Sequence, residues 1–114
     1  NIIFTGSVNN AMDYYSAMDV FVMPSLYEGL PFTAVEAQVN GLKCVMADTI
    51  TKMVNISGDV SFLSLIQKKE DWIDIILENS RSRISKQNNE IVCKKYDLNN
   101  EVKRLESYYD LKMR

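Results

Sequence analysis

Two glutamates, Glu28 and Glu36, stand with seven residues between them, Gly29-Leu30-Pro31-Phe32-Thr33-Ala34-Val35. That stretch holds a Gly-Leu-Pro breaker and then the start of an apolar helix. Pro31 reads as the first helical residue, where its missing N–H costs nothing. The amides of Phe32, Thr33 and Ala34 then lack intrahelical acceptors and, with the helix dipole behind them, suit an anion such as phosphate. A carboxylate offers acceptors only, so it suits vicinal hydroxyls rather than the phosphate itself. Glu36 falls five residues past Pro31, about 7–8 Å along a helix axis. That offset fits a ribose next to a pyrophosphate held at the helix start. Glu28, in the loop on the other side, would reach a second sugar at the far end of the pyrophosphate. The pair fits a nucleotide-diphosphate sugar.

The elements that must hold these residues alternate in type. Ile2–Thr5 is an apolar run ending at Gly6 and reads as a strand running into the polar loop Ser7-Val8-Asn9-Asn10. Helix formers fill Ala11–Met18, with Met12, Tyr15 and Met18 at helical spacing. The run Val20–Met23, stopped by Pro24, has the pattern of a strand buried on both faces. After the loop, Phe32–Val39 reads as a helix closed by Gly41. Lys43–Ala47 is a further strand, ended by Asp48-Thr49, and Val60–Leu65 contains another. A helix over Asp71–Leu77 would turn Trp72, Ile73, Ile76 and Leu77 to one face, and a more polar helix follows near residues 86–96. Glu101–Met113 reads as a terminal helix with an apolar stripe of Val102, Leu105, Tyr108 and Tyr109. Strands alternating with helices imply an α/β fold with a Rossmann-like parallel sheet and helices on both faces. In such sheets ligands bind beyond the carboxyl ends of the strands, where the Pro24–Pro31 loop falls.

Composition narrows the function classes. The 114 residues suffice for one domain with a real core, and 46 % hydrophobic with 25 % charged residues is ordinary for a globular protein. A formal net charge of -2 and no basic stripe give no electrostatic footprint for nucleic acid. Cys44 and Cys93 form no paired motif and read as reduced, buried thiols. With no histidine in the chain, a zinc site and a Ser-His or Cys-His nucleophile are both disfavoured. Met12, Met18, Met23 and Met46 read as core, Trp72 as a helix anchor, and Lys52 as solvated surface.

The order of short motifs is more specific than the glutamate spacing. Phe4-Thr5-Gly6, Tyr15, Ala17-Met18-Asp19-Val20, Pro24-Ser25-Leu26-Tyr27-Glu28-Gly29-Leu30-Pro31, Val35-Glu36-Ala37 and Asn40-Gly41 together closely resemble the group 1 glycosyltransferases. The glutamates match that family's E-x7-E motif. Asp48-Thr49-Ile50-Thr51, Val60–Leu65 and the Trp72 segment look like the branch that makes capsular or extracellular polysaccharide. The resemblance implies retaining, metal-independent enzymes of the GT-B fold. In that frame the chain is a single-domain fragment of the C-terminal, donor-binding lobe.

The same resemblance assigns roles by position. Glu28 would contact hydroxyls of the donor sugar, without being named a nucleophile, and Glu36 the ribose. Gly29, Leu30, Pro31, Phe32 and Thr33 would meet the sugar or the phosphates, chiefly through backbone amides, and Val8 and Asn9 the base. No cofactor is expected, only a UDP- or GDP-sugar donor, a glycan or glycolipid acceptor, and an absent N-terminal lobe. That lobe would supply any peripheral association with the inner face of the membrane, in a cytoplasmic enzyme. The terminal stripe with Tyr108 and Tyr109 either faces the absent lobe, leaving a fragment that self-associates and transfers no sugar alone, or packs on this sheet. Two other classes compete: a catalytically silent nucleotide-sugar-binding module, and a flavodoxin-like signalling domain with Asp48 as phosphoacceptor. The latter needs an acidic cluster after the first strand, and Thr5-Gly6-Ser7 supplies none.

Overall fold

A computed structural model describes residues 1–97 together with Lys103, Glu106, Ser107, Asp110 and Lys112. The stripe of Val102, Leu105, Tyr108 and Tyr109 lies outside the described residues. Three parallel strands form one sheet: β1 (Phe21–Met23), β2 (Cys44–Ala47) and β3 (Val60–Leu63), in the order β1-β2-β3. Phe21 pairs with Cys44 and Cys44 with Val60, so the three strands start level. Around them stand α1 (Ala11–Ala17), α2 (Phe32–Val39), α3 (Lys69–Asn79) and α4 (Lys86–Lys95). Helix α2 contacts β1 and β2, α3 contacts β2, and α4 packs on α2. This is the expected Rossmann-like α/β arrangement.

The core is centred on β2. Side chains of a strand alternate between faces, yet Cys44, Val45, Met46 and Ala47 are all 0 % exposed, so both faces of the middle strand are covered. The expectation of two-faced burial for Val20–Met23 fails. Phe21 and Met23 are half-buried and Val22 is exposed, because β1 is a sheet edge. Ile2–Thr5 is not a strand: it pairs with no neighbour among the described residues, and Ile2, Ile3 and Phe4 are each more than 80 % exposed. A strand exists only through a ladder partner, which an apolar run cannot reveal.

Helix α2 ends as its sequence predicts. Gly41 has φ +82°, its amide donates to Gln38 O (2.9 Å), and the Leu42 amide donates to Ala37 O (3.0 Å). These are the two bonds of a Schellman ending, with Leu42 and Ala37 both buried. Its inward face is Ala34, Val35, Ala37 and Gln38. Gln38 is fully buried, and its carboxamide is satisfied on every side. Nε2 donates to Ala34 O (3.1 Å) and Val54 O (2.8 Å), and Oε1 accepts from the amides of Ile56 (3.2 Å) and Ser57 (3.1 Å). The chain between β2 and β3, including a 3₁₀ turn at Lys52–Val54, is thereby fastened to α2.

A second fastening comes from far along the chain. The Arg83 guanidinium donates to Asn40 O (3.0 Å) at the end of α2, and to Ser16 O and Met18 O (both 2.8 Å) at the end of α1. Terminal carbonyls lack intrahelical donors and carry the negative end of the dipole, so a forked cation suits both helices at once. Asn89, on α4, adds bonds to Gln38 O and Val39 O, each 2.9 Å.

Several side chains settle differently from expectation. Met46 is core and Met23 half-buried, but Met12 and Met18 are exposed because Tyr15, with Ala11 four residues before it, takes the inward face of α1. Cys44 is buried, but Cys93 is exposed: Val92 takes the inward face of α4, followed four residues on by Tyr96, the residue that closes the helix. On α3, Ile73 and Leu77 are exposed while Trp72, Ile75 and Ile76 are half-buried, so the helix is rotated from the anticipated face. Trp72 is an anchor, its Nε1 donating to Ser64 O (3.0 Å). Lys52 is exposed with its ammonium 3.5 Å from the centre of the Phe62 ring.

Two stability predictions arise here. Gln38→Leu strands the Val54 carbonyl and the Ile56 and Ser57 amides in a buried setting. Denaturant titration of the chain should show a loss of about 3 kcal/mol, and a loss below about 1 kcal/mol would mean the carboxamide is dispensable. Arg83→Ala should cost about 1 kcal/mol, small because its bonds face water, and Arg83→Lys should restore little because an ammonium cannot fork to three carbonyls. Equal melting temperatures for the wild-type chain and the Arg83→Lys variant would contradict this.

Candidate functional site

The loop from Pro24 to Pro31 leaves the carboxyl end of β1 and delivers the chain into α2. Pro31 is buried, with φ -76° and ψ 102°, so it precedes the helix rather than opening it, and Phe32 is the first helical residue. The Pro31 carbonyl accepts from the amides of Ala34 (3.1 Å) and Val35 (3.3 Å). The Ala34 amide is therefore not available, contrary to expectation. The amides of Phe32 and Thr33 find no acceptor among the described residues, and no side chain caps this end. Phe32, Thr33, Gly29 and Leu30 are exposed.

Glu28 is half-buried in the loop, and its Oε1 accepts from Ser25 Oγ (3.1 Å). Ser25 is itself held, its carbonyl accepting from Thr49 Oγ1 (2.7 Å) at the corner after β2. This corner continues the sheet by a bond from the Asp48 amide to Leu63 O (2.8 Å). Two strand ends thus brace the loop that carries Glu28. Its Oε2 has no donor among the described residues.

Glu36, half-buried on α2, is set by a neighbouring helix. Its Oε2 accepts from the Tyr15 hydroxyl of α1 at 3.0 Å, while Oε1 has no donor among the described residues. Tyr15 is 6 % exposed and its ring meets Phe21 edge-on, with centroids 6.3 Å apart. Burial and the adjacent Glu36 carboxylate push the phenol up to about 12. Burial likewise raises the Cys44 thiol to about 12, which leaves it inert at neutral pH.

Tyr15 also lines a cavity of about 370 Å³, together with Ile3, Thr5, Val8, Phe21 and Thr33. The structure thus gathers two of the features singled out from sequence, the loop after Gly6 through Val8 and the start of α2 through Thr33, beside the tyrosine that bonds Glu36. Glu28, Gly29, Leu30, Pro31, Phe32, Glu36 and the exposed Asn9 do not line this space. In the sequence Tyr15 stands out only as part of a motif, with nothing to pair it with Glu36. Gln38 and Arg83 escape sequence reasoning as well. A glutamine on the apolar face of a helix is a readable signal, since a buried amide must find partners. Arg83 carries none, because its acceptors are backbone atoms more than forty residues away.

Comparison with known proteins adds to this geometry. EpsF of Bacillus subtilis (strain 168), provisionally named a glycosyltransferase, is 43 % identical over 77 residues, 67 % of this chain and 20 % of that protein. The UDP-Gal:alpha-D-GlcNAc-diphosphoundecaprenol alpha-1,3-galactosyltransferase of Escherichia coli is 28 % identical over 96 residues, 73 % of this chain and 25 % of that protein. The lipopolysaccharide core biosynthesis mannosyltransferase LpsB of Rhizobium meliloti (strain 1021) is 33 % identical over 70 residues, 61 % of this chain and 20 % of that protein. The chain spans a fifth to a quarter of the length of these relatives. No solved structure gives a significant match. The family model described as glycosyl transferases group 1 matches residues 1–80, well over half of the sequence, and the chain belongs to that family.

Proposed function

We propose that this chain is a single-domain part of the donor-binding lobe of a glycosyltransferase, and that Glu28 and Glu36 hold the two sugars of a nucleotide-diphosphate sugar. One observation carries the reading most. Glu36 is presented with one carboxylate oxygen engaged by Tyr15 and the other open, on a helix whose first two amides have no acceptor among the described residues. Anion-seeking amides and a hydroxyl-seeking carboxylate on one helix suit the pyrophosphate and ribose of such a donor. Val8 and the loop around it would meet the base, Leu30, Phe32 and Thr33 the phosphates, and Glu28 the hydroxyls of the transferred sugar.

The relatives support a hexose donor, one being named a UDP-Gal galactosyltransferase and another a mannosyltransferase. We take the transfer to be retaining and independent of metal, and the acceptor to be a growing polysaccharide or a lipid-linked glycan in the capsular and extracellular branch. The E-x7-E pair is its donor-binding signature. An N-terminal lobe would hold the acceptor and give any attachment to the cytoplasmic face of the membrane. Among the described residues no helix is long and apolar enough to cross a membrane.

The two acids should do different work in the full-length protein. Glu36 engages the ribose before and during reaction, so Glu36→Gln should raise the donor KM with little change in kcat, by about 1–3 kcal/mol. Glu28 faces the sugar whose anomeric centre reacts, so Glu28→Gln should lower kcat, with circular dichroism unchanged. Steady-state kinetics with UDP- and GDP-sugars decides this. A Glu28 variant with wild-type kcat and KM would leave that acid a structural loop residue, and a full-length protein that binds donor without turnover would make the chain a silent binding module.

A further inference from the structure

We propose that Tyr15 is a positioning residue for donor binding: by donating its hydroxyl proton to one oxygen of Glu36, it holds the other oxygen toward the sugar hydroxyls. The inference rests on the ribose-binding reading of Glu36 and goes beyond it: whatever its ring meets in the cavity beside Val8 and Thr33, the Tyr15 hydroxyl would act through Glu36.

A glutamate side chain has three rotatable bonds, and a half-exposed one samples many rotamers unless something holds it. Here the phenol donates to Oε2 at 3.0 Å, and Oε1 is the acceptor left open among the described residues. The donor is itself rigid. Tyr15 is almost fully buried, packed edge-on against Phe21 of β1, so its hydroxyl has little freedom to wander. The helices bearing the two partners are also held together, since Arg83 binds the last carbonyls of α1 and of α2. The phenol keeps its proton throughout the neutral range, so it donates whenever Glu36 is ionised. A phenylalanine at this position would keep the ring packing and lose only the hydrogen bond.

The test is calorimetric titration of the full-length protein with UDP and with GDP, each of which carries the ribose and pyrophosphate without the transferred sugar. Four forms are compared: wild type, Tyr15→Phe, Glu36→Gln and the double variant, with melting temperatures measured alongside. Tyr15→Phe should weaken the nucleotide that binds by roughly 5-fold, the size of one hydrogen bond, with its melting temperature close to wild type. The double variant should bind no more weakly than Glu36→Gln alone, since the tyrosine acts only through that glutamate. A purely structural tyrosine would instead lower affinity in both backgrounds by the same factor, which overturns the proposal. So does an unchanged affinity in Tyr15→Phe where Glu36→Gln is weakened. If Glu36→Gln binds as wild type does, or if neither nucleotide binds wild type, the ribose reading fails first and this inference falls with it.

Discussion

The buried carboxamide of Gln38 is the constraint on which the arrangement hangs. Four hydrogen bonds to backbone atoms of two separate segments converge on it, in a site closed to water. Such a group is costly if any bond is lost, so α2 can neither turn nor slide without exposing an unmet donor or acceptor. Glu36 lies two residues before it on the same helix, some 200° around the axis. The rotation that buries Gln38 is therefore the rotation that presents Glu36 away from the core. The placement of Glu36 and that of Gln38 are two readouts of one helical phase.

The second level of organisation is the pairing of α1 with α2. Besides Tyr15 packing in one core cluster with Ala34, Val35 and Ala37, they are joined by directed bonds: the tyrosine to the glutamate, Asn40 to the Met12 sulfur, and the arginine fork across their two C-terminal ends. Directed bonds specify geometry more than they add stability, because each mostly replaces a bond to water. The glutamate also keeps one oxygen without a donor among the described residues, and it is not one of the buried unmet atoms.

Glu28 is held by different means. Its loop is braced through Ser25 and Thr49 to the corner after β2, yet Leu26 and Tyr27 beside it are largely exposed. The acid on the helix is thus fixed by buried groups, and the acid in the loop by a short chain of more exposed ones. Regions with few buried apolar contacts open at low free-energy cost. Such a loop can adjust in a way that a helix bound at Gln38 cannot.

Much of the fold could be read along the chain because it rests on local physics. The helix from Phe32, the glycine that ends it at Gly41, the buried run that became β2 and the alternation of strands with helices follow from backbone preference and hydrophobic period. The family was legible differently: the glutamate pair and its flanking motifs resemble the group 1 glycosyltransferases, and the model of that family matches residues 1–80. Other features were decided only when distant segments met. Whether Ile2–Phe4 becomes a strand depends on a partner, and whether Phe21–Met23 is central or edge depends on strand order. Cys93 and Met12 went to the surface because other residues of their helices won the inward face. The tie from Tyr15 to Glu36 spans twenty-one positions, and that from Arg83 to α1 spans sixty-five or more. Side-chain types announce what bonds a residue can make. Only the tertiary structure chooses the partner, because a hydrogen bond requires two groups within about 3 Å and sequence order sets no such distance between remote residues.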